Sequence, residues 1–476
     1  MDTSPTSYDQ VHYPSAVYRT TTPEHLAAIA RLHGLDAADP RSARVLEIAG
    51  GDGLNVLAMA AAYPGAQFVS FDLAASAVAH GQSLMAAAGL ANVRIETADI
   101  LDAAGSMEGP FDYVIAHGLY AWVPPHVQRA TLQLIDRVLA PNGIVFISYN
   151  ALPGGHIRLA LRDMLLFELD GVDDPEARMD RATAVLTEFG RPRDDDSASQ
   201  AALRRAARLT LNKNRHTLFH DELGPVYDPK SLQTIVAEAA AHHLAYLTEA
   251  QAGGLFHGFP GEAVDDRETV RRAQRRDNDE VSFFHQSLFV RPGRHPLRVP
   301  DPAWLGTLMA GVPDSLRRTG ENTFTSSAGD FELGDQMLAD FLEKLIRIAP
   351  VRVPLAELAA SPDHATAIFH LIDRGIIEPH SLPFPGALQP GERPIVSSLV
   401  RALIAHGVPY VVTLDHRVVQ LSEEAPRRLM ALMDGTRTAE EIAAEAARIG
   451  IPPELDVNLG LKQIARAGML ALSADI

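Results

Sequence analysis

The stretch RVLEIAGGDGLNVLAMA, from Arg44 to Ala60, decides the fold of this chain. Its apolar start is typical of a buried strand, its centre of a tight turn, and its end of the first turns of a helix. Glu47 stands near the end of the predicted strand, and Gly50, Gly51 and Gly53 crowd the turn. A turn without side chains lets a ligand lie against the backbone. The acidic residue before it favours a ligand with hydroxyls or a cationic amine over a triphosphate.

Two other ligand-binding turns fit this stretch less well. A phosphate-binding loop of the Walker type ends in Gly-Lys-Ser/Thr, whereas Gly53 is followed by Leu54 and Asn55. A dinucleotide-binding turn needs G-x-G-x-x-G/A, and a match that starts at Gly51 places Val56 where the third small residue belongs. The bare turn and its acid instead suggest S-adenosylmethionine (SAM). This stretch alone does not exclude the alternative of a strand–turn–helix corner that binds no ligand.

Short β-rich runs alternate with helical stretches from residue 44 to residue 150. Alternation of this kind predicts an α/β fold with a parallel sheet and helices on both of its faces. Ligands of such sheets bind beyond the carboxyl ends of the strands. The predicted strands are Val45–Ala49, Gln67–Asp72, Val93–Ala98, Tyr113–His117 and Ile144–Tyr149, and the predicted helices are Leu54–Tyr63, Ala74–Ala88 and Val127–Leu139.

Polar residues stand at the carboxyl ends of the next four predicted strands. A carboxylate there can accept hydrogen bonds from both hydroxyls of a ribose, and a short acid can meet an adenine amine. Each residue alone is better explained as a helix cap or a solvated turn residue. Together with the glycine turn they favour a nucleoside site. In strand order they are Asp72, then Asp99 with Ile100, then His117, then Tyr149 with Asn150.

The composition excludes several kinds of chemistry. The 476 residues include no cysteine, which rules out disulfides, zinc thiolates and thiolate nucleophiles. A net charge of −18 argues against nonspecific nucleic-acid binding, which depends on neutralising phosphates. Without a signal peptide or an apolar run of ~18 residues, we expect a cytoplasmic protein that does not contact a membrane. Without HExxH or a similar cluster, and with His242 adjacent to His243, we expect no metal site.

After residue 155 the alternation stops and helical patterns dominate. The predicted helices are His156–Leu169, the basic Ala201–Lys213 and the alanine-rich Lys230–Glu249, and the charged run RPRDDDSAS predicts an exposed loop. Helices followed by a short hairpin then predict two winged-helix-like modules. Their elements are Met337–Ile348, Leu355–Ala360, Ala365–Asp373 and the β-like Ile376–Glu378, then Pro394–His406, the hairpin YVVTLDHRVVQLS from Tyr410, Glu424–Met433, Thr438–Ile449 and Leu459–Ala467.

Five pieces of the chain resemble a known family. The chain is similar to class I SAM-dependent methyltransferases that carry a methyltransferase regulatory domain, among them rickettsial-type protein lysine methyltransferases. The resemblance spans most of the chain and implies SAM as cofactor and a Rossmann-like α/β sheet, followed by a mostly helical domain and winged-helix-like modules. The pieces are YDQVHYPS from Tyr8, LEIAGGDGLN from Leu46, IAHGLYAWVP from Ile115, LAPNGIVFISYNALPGG from Leu139 and TLFHDELGPVYDP from Thr217.

We therefore divide the chain into four parts. Residues 1–155 are expected to form the SAM-binding domain with an N-terminal arm, and residues 156–295 a helical regulatory or substrate domain. Residues 296–390 are expected to form a middle winged-helix-like module, and residues 391–476 a C-terminal one. The last module mixes acids with arginines and is not basic enough to indicate DNA binding, which favours contact with a protein or positioning of the substrate.

The resemblance also implies roles for residues of the cofactor site. The acid and glycines of the first turn would hold the methionine part of SAM, Asp72 the ribose, and His117 would lie under the sulfonium. The N-terminal arm would fold back so that Tyr13 touches the cofactor carboxylate. The family usually has glycine at Ala49, and a methyl group there is tolerable if φ is negative. The predicted cofactor-binding residues are Tyr13, Glu47, Gly51, Gly53, Asp72, Leu73, Asp99, Ile100 and His117.

An amine that accepts a methyl group must be unprotonated, and an aromatic pocket that excludes water lowers the pKa of a lysine. We expect His117 and Tyr149 near the transferring methyl, as the catalytic residues. Ordinary core packing explains the aromatic residues equally well, and His220 is as readily a structural histidine. The expected substrate pocket consists of Tyr120, Trp122, Tyr149, Asn150 and His220.

The sequence thus predicts a SAM-dependent methyltransferase that acts on a protein side chain, with lysine as the expected acceptor. A methyltransferase for a small molecule or a biosynthetic peptide is the second interpretation. A SAM-binding regulatory protein without turnover is the third, and Ala49 gives it slight support. The expected partner is a protein or peptide substrate. The sequence leaves open whether the chain forms a homodimer.

Overall fold

The computed structural model describes residues 7–259, 262–356, 358, 361–451 and 456–472. Its largest sheet has seven strands, in the spatial order 3-2-1-4-5-7-6. The first five run parallel, whereas the seventh runs antiparallel to the fifth and the sixth. The strands are β1 (Arg44–Ile48), β2 (Gln67–Asp72), β3 (Val93–Thr97), β4 (Phe111–Ala116), β5 (Leu139–Asn150), β6 (Ala245–Glu249) and β7 (Phe284–Val290).

Helices cover both faces of the parallel strands, which confirms the predicted α/β fold. Val45 belongs to the apolar core on one face and Leu46 to the core on the other, as the alternation of a strand requires. The predicted strands and helices are confirmed within two residues at each end, except that β5 begins at Leu139. The helices are α1 (Ser7–Gln10), α2 (Pro23–Leu32), α3 (Leu54–Ala62), α4 (Ala75–Ala88), α5 (Ile100–Ser106) and α6 (Pro125–Val138).

The helical part that follows returns to the sheet. The predicted helix Lys230–Glu249 is wrong in its second half, because the helix ends at Ala240 and the chain re-enters the sheet as β6. With β6 and β7, the sheet extends across the predicted boundary at residues 155 and 156. The helices of this part are α7 (Gly155–Glu168), α8 (Pro175–Phe189), α9 (Ala198–Leu211), α10 (Arg215–Leu223), α11 (Leu232–Ala240) and α12 (Asp266–Glu280).

A middle part combines three helices with short strands. Strands 9 to 11 form one small sheet and strands 8, 12 and 13 another. Leu355, Ala356 and Leu358 lie in a turn or bend, so the helix predicted at Leu355–Ala360 is wrong there, and its other residues lie outside the described residues. The elements are α13 (Pro302–Leu305), β8 (Met309–Gly311), β9 (Arg317–Arg318), β10 (Thr323–Ser326), β11 (Gly329–Glu332), α14 (Gln336–Ile348), β12 (Val353–Pro354), α15 (Pro362–Asp373) and β13 (Glu378–His380).

The C-terminal part contains the predicted hairpin. Its two strands pair antiparallel from Tyr410 opposite Gln420 to Val412 opposite Val418. Its first helix packs against α3 and α4 of the first part. The elements are α16 (Ser398–Ala405), β14 (Tyr410–Val412), β15 (Val418–Gln420), α17 (Glu424–Ala431), α18 (Ala439–Arg448) and α19 (Val457–Arg466).

Candidate active site

A cavity of about 750 Å³ lies at the carboxyl ends of the parallel strands. Its volume is within the usual range of sites for small ligands and cofactors. Gly53, Tyr120 and Tyr149 do not line it. The predicted site residues that do line it are Tyr13, Glu47, Gly51, Asp72, Leu73, Asp99, Ile100, His117, Trp122, Asn150 and His220.

The glycine turn brings backbone to the wall of the cavity. Gly51 and Gly53 have positive φ angles of 59° and 70°. The φ of Ala49 is also positive, at 55°, and so does not meet the condition of a negative φ. A side chain at Gly50 would come within 2.6 Å of Glu47 Oε2. A side chain at Gly53 would come within 2.6 Å of Ile95 on β3. Gly53 therefore lets α3 pack close to β3, and it does not line the cavity.

Glu47 is a buried carboxylate with Oε1 hydrogen-bonded to Asn55 and with Oε2 near the hydroxyl of Ser70. Asn55 Nδ2 donates to Oε1 at 2.6 Å. Oε2 is buried without a hydrogen-bond partner. Burial raises the pKa of Glu47 to about 7. Because an unpartnered buried oxygen costs free energy, this site favours a ligand that supplies a donor.

Acids also stand at the ends of β2 and β3. Asp72 accepts hydrogen bonds from the N–H groups of Gly51 and Ala74, each at 2.8 Å, and burial raises its pKa. Each carboxylate oxygen keeps a second lone pair for a ligand. Asp99 caps α5 through the N–H of Leu101 at 2.8 Å. With Leu73 and Ile100 on the same cavity wall, this region suits a ribose and a flat apolar ring.

His117 lies where β4 ends, against the ring of Tyr18. Their ring centroids are 3.7 Å apart. Ser148 Oγ lies 3.0 Å from His117 Nδ1 and accepts a hydrogen bond from the N–H of Gly118 at 2.7 Å. The serine hydroxyl therefore fixes the orientation of the His117 ring through Nδ1. Burial lowers the pKa of His117 to about 4, so the ring is neutral at physiological pH.

The structure corrects the predicted places of Tyr149 and Tyr120. Tyr149 is 1% exposed, and its hydroxyl lies 3.1 Å from Ser287 Oγ on β7. Tyr149 does not line the cavity, whereas the next residue, Asn150, does. Tyr120 is also buried and donates to Glu238 Oε2 at 2.8 Å. Both tyrosines therefore pack in the core beside the cavity, and neither lines it.

The N-terminal arm forms part of the cavity wall through Tyr8, Tyr13 and Tyr18. Tyr8 stacks on His220, with ring centroids 4.2 Å apart and planes 6° from parallel. His220 Nε2 lies 2.7 Å from the carbonyl oxygen of Val11. His220 therefore anchors the arm over the cavity.

Two charged residues that the sequence did not single out also line the cavity. Asp221 Oδ1 accepts from the hydroxyl of Tyr13 at 3.4 Å, and Asp221 Oδ2 lies 3.1 Å from Arg158 and 3.0 Å from Lys213. The guanidinium of Arg158 lies 4.8 Å from the ring centroid of Trp122. α7 and α10 bring this acid and this arginine together, and no local pattern in the sequence announces it.

Comparison with known proteins identifies the family. Residues 45–143 match the family model described as a methyltransferase domain. The uncharacterized protein RP028 of Rickettsia prowazekii is 32% identical over 225 residues, which cover 47% of this chain and 90% of that protein. The chain belongs to the SAM-dependent methyltransferases.

The C-terminal part of this methyltransferase also has a matching model. Residues 392–467 match the one described as "PKMT, C-terminal winged helix domain". The uncharacterized protein RP789 of R. prowazekii is 32% identical over 266 residues, 55% of this chain and 48% of that protein, so the match spans about half of that relative.

A solved structure shares the fold over almost the whole length. PKMT2 from Rickettsia typhi has a TM-score of 0.81 at 20% identity, covering 97% of this chain and 100% of that one. The same protein in complex with AdoHcy has a TM-score of 0.77 at 19% identity, covering 96% and 99%.

Within the described ranges, no helix has the length and apolar character that crossing a membrane requires. Among the same residues, no group of three or more His, Cys, Asp or Glu side chains is placed to hold a metal ion.

Proposed function

We propose that this methyltransferase binds SAM in the cavity and transfers its methyl group to a lysine side chain of a protein. The observation that carries the proposal is the free Oε2 of Glu47 in the same cavity as the aromatic and acidic wall of Tyr13, Trp122 and Asp221. The PKMT winged-helix model and the AdoHcy complex of R. typhi PKMT2 support it.

The residues present fit SAM. The free oxygen of Glu47 suits the amino group of the methionine part, beside the backbone of Gly51 and the hydroxyl of Tyr13. Asp72 keeps lone pairs for the ribose hydroxyls, and Asp99, Leu73 and Ile100 suit the adenine. Bound SAM supplies a methyl group activated on a sulfonium.

The chain's own residues then align donor and acceptor, which is most of the catalysis such a transfer needs. His117 is neutral, so it adds no positive charge beside a cationic donor. Asp221 pairs with Arg158 and Lys213 and so offsets their positive charge, which would otherwise repel the ammonium of an arriving lysine. The ring of Trp122 shields the acceptor from water, and loss of water lowers the pKa of the lysine from its usual value of about 10.4.

Labelled SAM, incubated with the enzyme and a cell lysate, tests the proposal. We expect label in protein, recovered as methylated lysine after hydrolysis. Label only in small solutes would instead support a small-molecule methyltransferase. Donor binding without any transfer would support the non-catalytic alternative.

Variants separate the two ends of the cavity. Glu47→Gln should weaken donor binding, measured by calorimetry with S-adenosylhomocysteine. Asp221→Asn should raise the KM for the protein acceptor more than it changes donor affinity. Glu280→Gln, at an exposed position at the end of α12, is the matched control and should leave both unchanged.

A further inference from the structure

Asn55, in the first turn of α3, connects the donor site with two distant parts of the chain. Its Nδ2 donates to Glu47 Oε1 at 2.6 Å and to Thr21 Oγ1 at 3.0 Å. Its Oδ1 accepts from the backbone N–H of Tyr18 at 2.9 Å and lies 2.7 Å from His416 Nε2. Because a backbone N–H can only donate, it fixes the orientation of the amide. His416 Nε2 must then carry a proton and donate it to Asn55.

His416 reaches this position from the tip of the β14–β15 hairpin. It is 5% exposed and has a φ of 66°. Such a conformation is strained for a residue with a Cβ and persists only where the surroundings impose it. Thr413 Oγ1 donates to Asp415 Oδ1 at 2.6 Å, and Asp415 Oδ2 forms an ion pair with Arg417 at 2.7 Å. The tip is therefore held in the shape that delivers the imidazole to Asn55.

We propose that His416, from the C-terminal winged-helix unit, is a positioning residue for the methyl donor. It holds the Asn55 amide, which in turn holds Glu47 Oε1 and leaves Glu47 Oε2 for the donor. This proposal deepens the proposed function, because it rests on donor binding at Glu47.

The charge state of His416 suits this role. Burial lowers its pKa to about 3, so the imidazole is neutral at physiological pH. It therefore donates through Nε2 without placing a charge near Glu47.

Donor binding and docking of the winged-helix unit are then coupled. If His416 strengthens donor binding, the donor must strengthen the docking of His416 by the same factor. The hairpin should therefore become less accessible to solvent when the donor site fills.

The test compares variants of the full chain. His416→Asn keeps a residue that tolerates positive φ but has an amide too short to reach Asn55. His416→Gln can place an amide N–H near the position of Nε2. His406→Ala is the matched control, because His406 contacts Ser83 on α4 at 3.2 Å from the same unit without touching Asn55. Affinity for S-adenosylhomocysteine is measured by calorimetry, and hairpin docking by hydrogen exchange of residues 410–420.

We expect His416→Asn to bind S-adenosylhomocysteine about tenfold more weakly, equivalent to about 1.4 kcal/mol. His416→Gln should recover most of the affinity, and His406→Ala should keep all of it. The ligand should slow hairpin exchange in the wild type but not in His416→Asn. If His416→Asn does not fold, His416→Phe, which fills similar space without an N–H, replaces it with the same expectations.

Unchanged affinity in the folded variant, or an equal loss in His406→Ala, would overturn the role of His416. A wild-type protein that binds no donor would instead overturn the proposed function, so the two failures are distinct.

Discussion

Ala49 turns the chain from β1 into the donor cavity with a φ of 55°. This conformation costs a residue with a Cβ about 1 kcal/mol, whereas glycine adopts it freely. We expect Ala49→Gly to raise the free energy of unfolding by up to about 1 kcal/mol, since the greater entropy of the unfolded glycine chain offsets part of the gain. Urea unfolding measures the change. The control Ala79→Gly lies on the exposed face of α4 and should lower the free energy of unfolding by about 1 kcal/mol. An equal decrease for Ala49→Gly would contradict strain at Ala49.

Glu47 should make donor binding depend on pH. Burial raises its pKa to about 7 in the free protein, and a ligand that donates hydrogen bonds or carries a positive charge prefers the ionised carboxylate. Affinity for S-adenosylhomocysteine should therefore rise about tenfold from pH 6 to pH 8, as the ionised fraction grows, and then level off. Calorimetry across this range measures it. The same rise in Glu47→Gln would assign the titration to another group.

The acids of the site are predictable and its aromatic residues are not. Glu47, Asp72 and Asp99 follow from the sequence because a parallel sheet fixes where the carboxyl ends of its strands meet. Tyr149 does not, since the pattern of a fully buried strand leaves open which face each side chain takes. Asp221 gains its place only when α10 packs beside α7.

Strands β6 and β7 extend the sheet and bury a charged network. His285 Nδ1 lies 3.1 Å from Glu249 Oε2, and its Nε2 lies 3.0 Å from Asp277 Oδ2. The parallel part of the sheet follows from its alternating pattern, but these two strands do not. The preceding helix stops where His243 takes a φ of 54°, without the glycine that usually marks such an end.

This network should make stability depend on pH. Burial opposes the charge on His285, but Glu249 and Asp277 outweigh it and raise the pKa of His285 to about 10. Its stabilising effect is complete below about pH 6.5 and is lost as pH rises through 10. Burial also opposes the charge on Glu249, whose pKa His285 lowers to about 2, so its effect is lost as pH falls from 4.5 through 2. We expect maximal stability from the network between these limits, measured by urea unfolding across the pH range.

Substitution tests the same network. His285→Gln should lower the free energy of unfolding by about 3 kcal/mol, because it leaves two buried carboxylates without a cation. It should also remove the loss of stability at alkaline pH. The matched control His364→Gln breaks a partly exposed pair with Asp335, 3.0 Å apart, and should cost less than about 1 kcal/mol. Similar costs for both variants would refute a special role of the buried pair.

At the scale of the whole molecule, one apolar core runs through α2, the parallel strands, α14, α15 and α16. Polar contacts also join the first part of the chain to the middle part. Arg19 binds both carboxylate oxygens of Glu378 at 2.7 Å, and buried Glu24 lies 3.1 Å from His380. The partners in these contacts are 359 and 356 residues apart in the chain. Sequence patterns do not show which side chains join these distant parts of the chain.

Two tryptophans make this continuity measurable. Trp122 lines the donor cavity, whereas Trp304 lies on α13, which packs against α2 and α15. Trp122→Phe leaves the fluorescence of Trp304 as the reporter of unfolding, and Trp304→Phe leaves that of Trp122. We expect both reporters to show one transition with the same midpoint, because the parallel strands carry the core that includes Leu305 on one face and the core that includes Tyr120 on the other.

The donor should then stabilise the part that it does not touch. S-adenosylhomocysteine at 100 times its dissociation constant should add about 2.7 kcal/mol to the stability that Trp304 reports, the same amount that Trp122 reports. A shift seen by Trp122 and missed by Trp304 would show instead that the middle part unfolds independently. The shared core would then be a contact between separate units, and occupancy of the donor cavity would not protect the middle part from unfolding.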